Sequence, residues 1–435
     1  MRVHTMPKRS RFLLAAASAA VAALALSSCG STPEGTEKGD GELLIWTDST
    51  RQPGFEEYQK QHPDVKLKIE TYDAATLLSK IQLFNQTGEG WPDVIFDAVP
   101  NEIASLANPT FDFAAPLGEL IPEDVQDGFG EANNGCTIDG ELYCLKNDLA
   151  QSVLWYDKTL MDEFGYEVPT TWDEYAELGE RVAAEHPGYI IGTAGFSFVY
   201  YDFFWSSGCP IQTVTEKQTV QINTEDERCT RVADLLDPLI ASGVVAKAGP
   251  FDAEVSELGK QGKILMMPGA SWYGDFVFKP EASYALPEGR LAAAAYPQWE
   301  GEDKAWSGAT GGGIFVVSKH SDDKQAAADV IEWMTTDLDY QGAAATYPAY
   351  GPAAEKWSEA KATDPFYAED PTPALAAQAE LINPAESNTA YNVEEAFTAT
   401  VVNAVRSGNT IASALPALQT QLTQLAQSVG YIVEK

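Results

Sequence analysis

The amino-acid sequence predicts an α/β protein folded as two lobes. One observation is the order of elements: runs of strand length at 43–46, 65–72 and 93–96 are separated by stretches of helical character. Another is size, because 435 residues with 45% apolar composition exceed what a single compact hydrophobic centre organises. A third is a late strand and helix, 314–317 and 324–336, able to return the chain to the first lobe.

Leu43-Leu44-Ile45-Trp46 is a short apolar run, followed by a polar loop and a helix over about 53–61 that stops ahead of Pro63. Residues 65–72 then alternate, Val65, Leu67 and Ile69 against Lys66, Lys68 and Glu70, as a half-buried strand does. A helix over about 74–85 leads to the buried strand 93–96. Strand and helix in alternation argue for a parallel sheet covered on both faces. In such sheets ligands sit beyond the carboxyl ends of the strands, which turns Trp46, Asp48 and Asp97 toward the expected site. Asp139-Gly140 marks a hairpin, 153–156 a strand and 158–164 a helix, and Thr171 with Glu174 three residues on forms a capping box. Helices dominate from there to about 305, with a strand at 263–267. Gly311-Gly312-Gly313 precedes the strand 314–317, and 393–429 reads as two helices divided near Ser407-Gly408-Asn409. There is no internal repeat.

With 28 Lys+Arg against 64 Asp+Glu the net charge is −36, a surface that repels phosphate backbones and anionic lipid and so disfavours nucleic acid as a partner. It suits a neutral or cationic ligand. Lys8, Arg9 and Arg11 precede an apolar run over 12–26, 15 residues long and short of the ~20 that span a bilayer. Leu26-Ser27-Ser28 ahead of Cys29 resembles the lipobox of bacterial lipoproteins. The expectation is a signal peptide at 1–28, a lipidated Cys29 with a flexible linker over 29–41, and an extracytoplasmic, cell-surface protein lipid-anchored to the membrane. The rival is an ordinary secretory signal beside an unrelated cysteine.

Cys136, Cys144, Cys209 and Cys229 are then an even set in an oxidising compartment, with three possible connectivities. A three-residue turn over Asp139-Gly140-Glu141 would place Cys136 opposite Cys144, whereas a two-residue turn would oppose it to Tyr143, so the favoured pairing of 136–144 and 209–229 calls for the longer loop. Zinc is disfavoured, since no Cys-x2-Cys spacing occurs and His4, His62, His186 and His320 are scattered singly. No metal or other cofactor is expected.

Taken together, the lipobox, Ile45-Trp46, Pro92 to Asp97, Asp139 to Tyr143, Leu154 to Leu160, Pro169 to Glu174, Gly262 to Trp272, Gly311 to Val317 and Tyr347-Pro348 stand in an order and spacing that resembles one family. It is that of the extracellular carbohydrate-binding proteins of ABC importers, of the maltose/maltodextrin-binding type. The resemblance implies a two-lobe periplasmic-binding-protein-like fold with an interlobe hinge and ligand cleft, lobe one holding 42–148 plus 308–340 and lobe two 149–307 plus 341–435. It implies a monomer that captures a sugar, an oligosaccharide by preference, and delivers it to a permease served by a separate ATPase subunit, without being an enzyme itself. Two positions depart from the family pattern: Cys144 stands where Pro is common, and Asp157 where Asn is common, the latter read as surface variation.

A pyranose offers apolar C–H faces and a rim of hydroxyls, so its site needs flat aromatic platforms and in-plane donors and acceptors. Trp272 and Tyr273 match the family position of a stacking aromatic, and Asn147 and Asp148 match a position at the first crossing that contacts sugar hydroxyls. Trp205, Trp306, Gly312 and Tyr350 complete the candidates with Trp46, Asp48 and Asp97. For each aromatic the plain alternative is core packing. Gly308 and Gly313 have the spacing of a phosphate loop, but Ile314-Phe315 stand where Lys and Ser/Thr are required. A secreted glycoside hydrolase or a polyamine binder is the alternative of a different class.

Overall fold

The computed structural model describes residues 38–216, 218–384 and 389–435. The expected signal peptide, Cys29 and most of the linker lie outside the described residues. Eight strands position the site: β1 (Glu42–Thr47), β2 (Lys66–Thr71), β3 (Val94–Asp97), β4 (Leu145–Lys146), β5 (Ser152–Asp157), β6 (Met266–Ala270), β7 (Leu291–Ala294) and β8 (Ile314–Val317).

The first sheet runs in the order β2-β1-β3-β8-β4. β1 is parallel to both β2 and β3, whereas β8 is antiparallel to β3 and β4. The sheet is thus mixed, where its first three strands alone predict a parallel one. β8 returns from the other lobe and enters from the opposite end, so its first residue, Ile314, lies level with Asp97 and Lys146. That edge collects the ends of β1, β3 and β4 and the start of β8. Every residue of β3 and β8 is buried, as expected when helices Gln52–Gln61, Leu77–Thr87 and Lys324–Thr336 cover the sheet.

In the second lobe β5 is the centre of an antiparallel sheet, β6-β5-β7, and all six of its residues are buried. β6 begins three residues later than the apolar pattern suggests, because register with β5 recruits Pro268, Gly269 and Ala270 to the ladder. Helices Trp172–Glu185, Ser197–Ser206, Glu227–Ser242 and Ile411–Ser428 pack around it. Thr171 and Glu174 make the capping box reciprocally. Asp157 is not surface variation: it is buried, its side chain caps the helix Lys158–Phe164 through Leu160 N at 3.1 Å, and Arg290 pairs with it at 2.6 Å.

The buried apolar residues sort by lobe. One core draws on 43–145, 314–334 and Ala349; the others draw on 153–299, 347–375 and 391–426. The chain passes between them around 146–152, 300–313 and 335–348.

Both disulfides form as favoured, Cys136–Cys144 and Cys209–Cys229, with Cα separations of 5.0 and 4.8 Å. The hairpin differs from expectation. Ile138 pairs with Glu141, leaving a two-residue turn in which Asp139 and Gly140 both have positive φ, 53° and 85°. That is the turn whose twist matches a right-handed ribbon. Cys136 therefore opposes Tyr143, whose N–H donates to its carbonyl at 2.9 Å. Cys144 lies beyond the last ladder pair, where the chain is free to bend back to Cys136.

Candidate functional site

On the first lobe, the loop after β1 folds back on itself: Asp48 Oδ1 accepts from Arg51 N at 2.7 Å, and Oδ2 from the Arg51 guanidinium at 3.1 Å. The same guanidinium reaches Asp148 at 3.6 Å and lies 4.4 Å above the Phe96 ring. Asn147 donates to Asp148 Oδ1 at 2.7 Å and accepts from Gln341 at 3.2 Å. Asn147 and Asp148 are both buried, so this network stiffens the first crossing segment. Burial lowers the neighbouring Lys146 ammonium to about 8, with Asp148 opposing the shift.

Asp97 ends β3 and is 0% exposed. Its Oδ1 accepts from Val99 N at 2.9 Å, whereas its Oδ2, like Glu102 Oε2, is buried with no hydrogen-bond partner among the described residues. Burial holds both acids well above the usual carboxylate range; the charge on Asp97 raises Glu102 further, whereas Val99 N and Glu102 oppose the shift at Asp97. Tyr72 closes the group from the end of β2, donating to the Phe96 carbonyl at 2.8 Å.

Trp46 does not join this edge. It is 5% exposed, stacked on Tyr72 at 5.4 Å, tilted against Phe84, and covered by the Lys80 ammonium at 4.7 Å. Pleating turns its side chain toward the helix Leu77–Thr87, so the indole packs in the first lobe.

On the second lobe Trp272 follows β6, half-buried, its Nε1 donating to the Thr310 carbonyl at 2.9 Å. Gly311 has φ +98°, and a Cβ there would stand 3.1 Å from that indole nitrogen. Gly312, at φ +75°, passes so close to the Asp148 carbonyl that a Cβ would meet it at 2.5 Å. Glycine lets the second crossing run against both the indole and the first crossing. Trp272 is in ring contact with Phe251, parallel within 4° at 6.0 Å, and with Phe198 at 5.9 Å, which in turn touches Phe196 at 4.7 Å. Phe251 is 49% and Phe196 40% exposed. Tyr273 also touches Trp272 but is 1% exposed and belongs to the core.

The other aromatic candidates stand elsewhere. Trp205 donates to the Asn383 carbonyl at 2.7 Å and lines a second interlobe groove of about 1240 Å³. Trp306 lies half-buried beneath Lys304, and Tyr350 packs on Phe129 with Gly128 close behind it. None of the three is in ring contact with Trp272.

The lobes meet where Asn101 donates to Tyr201 OH at 3.4 Å and Ser105 donates to the Ala390 carbonyl at 3.5 Å. A pocket there is lined by Leu78, Val99 and Glu102 from the first lobe and by Tyr391 and Glu394 from the second. Ser197, between Phe196 and Phe198, donates to Glu394 at 3.1 Å, which ties the aromatic face to this seam. The sequence left Phe196, Phe198, Phe251, Asn101, Glu102 and Glu394 unmarked. A signal existed for Phe251, a lone aromatic after Gly249-Pro250 at the head of a polar stretch. Among the described residues no group of three His, Cys, Asp or Glu side chains is placed to hold a metal ion.

The fold recurs in solved structures. The galacto-N-biose/lacto-N-biose I-binding protein of an ABC transporter from Bifidobacterium longum aligns with a TM-score of 0.78 at 18% identity, over 91% of this chain and 100% of that one. A transporter-associated binding protein from B. animalis subsp. lactis, in complex with β-1,6-galactobiose, aligns at 0.73, again with 18% identity over 91% and 100%. In sequence, the arabinooligosaccharide-binding protein of Halalkalibacterium halodurans is 27% identical over 318 residues, 68% of this chain and 67% of that protein. The multiple sugar-binding protein of Streptococcus mutans is 23% identical over 333 residues, 72% and 75% respectively. Residues 45–379 match the family described as bacterial extracellular solute-binding protein, and with more than half of the chain inside that match, the protein belongs to this family.

Proposed function

We propose that this protein captures an oligosaccharide between its lobes and delivers it to the permease of an ABC importer, without chemical turnover. The observation that carries this reading is the run of Phe196, Phe198, Phe251 and Trp272 along the second lobe, two of them more than a third exposed although large aromatics gain most by burial. Parallel rings at Phe251 and Trp272 suit the apolar faces of consecutive sugar units. Asp48 and Arg51 on the facing lobe supply acceptors and donors for hydroxyls. Relatives whose names specify arabinooligosaccharides and multiple sugars support the cargo class.

The hinge lies in the three crossings, with lobe one as 42–148 plus 308–340 and lobe two as 149–307 plus 341–435. Trp272, Asp48 and Asp97 stay in the proposed site; Asn147, Asp148 and Gly312 shape the hinge beside it. Cys29 carries the lipid that holds the protein at the cell surface.

Thermal-shift screening against mono- and oligosaccharides tests the reading. A cognate oligosaccharide at a hundred times its Kd stabilises by about 2.7 kcal/mol. Stabilisation by polyamines and by no sugar, or release of shortened products from the sugar, would overturn it.

A further inference from the structure

The seam between the lobes is lined by Glu102 and Glu394, acids that form no ion pair among the described residues. Asp97 and Glu102 are neighbouring buried carboxyls, and desolvation at both, with the charge of Asp97 acting on Glu102, favours the neutral forms. Asp97 Oδ2 and Glu102 Oε2 are buried with no hydrogen-bond partner among the described residues. Across the seam Glu394 faces the same pocket as Glu102, held by Ser197 at 3.1 Å. The polar groups that line the pocket with Glu102 and Glu394 are neutral, Asn101 and Ser105 from the first lobe and Thr389, Tyr391 and Asn392 from the second, and Tyr72 adds a neutral hydroxyl beside Asp97 and Glu102. Of the cations on the first lobe, Arg51 is committed to Asp48 and Asp148, and Lys80 to the face of Trp46.

We propose that closing the two lobes takes up protons at this seam, so that acid favours the closed form and alkali opens it. Glu102 and Glu394 come from different lobes, and the pocket they share exists only where the lobes meet. Opening admits water, which stabilises the charged carboxylates; closing removes that water and leaves the neutral forms preferred. By linkage, the form that binds more protons gains population as the pH falls. The direction agrees with the burial that raises Asp97, Glu102 and Glu394 above the usual carboxylate range. A cargo that needs the closed form is then held more tightly in acid.

Small-angle X-ray scattering on the ligand-free full chain between about pH 5 and pH 9 tests this with no sugar present, so its outcome is independent of the oligosaccharide reading. The wild type should show a radius of gyration that grows toward alkaline pH, and Glu102→Gln with Glu394→Gln should stay compact throughout. Glu394→Gln alone, at a partly exposed position, should reduce the growth and serves if the double variant loses its fold by circular dichroism. A wild-type radius that does not change with pH, or neutralised variants that expand as the wild type does, would overturn the proposal.

Discussion

Trp272 is half-buried, its indole N–H tied to the Thr310 carbonyl and its ring parallel to that of the half-exposed Phe251. Trp272→Ala should weaken oligosaccharide binding at least about tenfold, some 1.4 kcal/mol or more, with the fold retained by circular dichroism. Phe251→Ala, at a half-exposed ring, should cost affinity for longer oligosaccharides more than for monosaccharides; equal loss for both would take Phe251 out of the second sugar position. Trp46 and Tyr273 teach the opposite lesson. Both are aromatic and stand at strand or loop ends in the sequence, yet both are buried, because which face of the pleat a residue occupies is settled by the helices laid against it. Residue type and position marked an aromatic site; exposure, which separates platform from core, was not legible there.

Among elements, the helix Trp172–Glu185 starts on a capping box that the sequence announces three residues apart. Thr171→Ala should lower stability by about 1 kcal/mol in denaturant titration without touching ligand affinity, because the cap lies at the solvent-facing start of that helix. The Cys136–Cys144 bridge closes a loop of sequence separation 8. Removing it by a double Cys→Ser change should cost about 2–3 kcal/mol, chiefly by freeing the unfolded chain. Its pairing was favoured on the hairpin around Asp139-Gly140, and the bridge forms although the three-residue turn it was expected to need does not. A two-residue turn with both residues at positive φ suits Asp139-Gly140, and the disulfide is reached beyond the ladder instead of across it.

At the scale of the whole molecule, the buried acids set a pH dependence of stability. Burial raises Asp202 to about 6, against the pull of its hydrogen bonds from Ser152 and Tyr296, and Asp97 and Glu102 are raised in the same sense. A carboxyl whose folded pKa lies above its unfolded value contributes stability that is complete below the unfolded pKa and is lost as pH rises through the folded one. Lys146, lowered to about 8, acts only above that pH and with the opposite slope. The melting temperature should therefore rise by a few degrees, at roughly 2–4 °C per kcal/mol, on going from about pH 7.5 to pH 5. Asp202→Asn should flatten the part of that rise nearest pH 6. A melting temperature that falls over the same interval would contradict the assignment. The net charge of −36 works in the same direction, since protonation relieves self-repulsion.

The sequence by itself determined the class of the fold and much of its skeleton. Helix Lys158–Phe164, strand β8 and helix Lys324–Thr336 lie where local periodicity puts them, since those patterns record which face of an element is apolar. Only the tertiary structure decided which core each segment joins, that β8 runs antiparallel to β3, and which aromatics stay exposed. Phe251 and Trp272 lie 21 residues apart in the chain, and Glu102 and Glu394 nearly 300, so their meeting is a property of packing between distant elements. A pattern local in sequence carries no term for that distance.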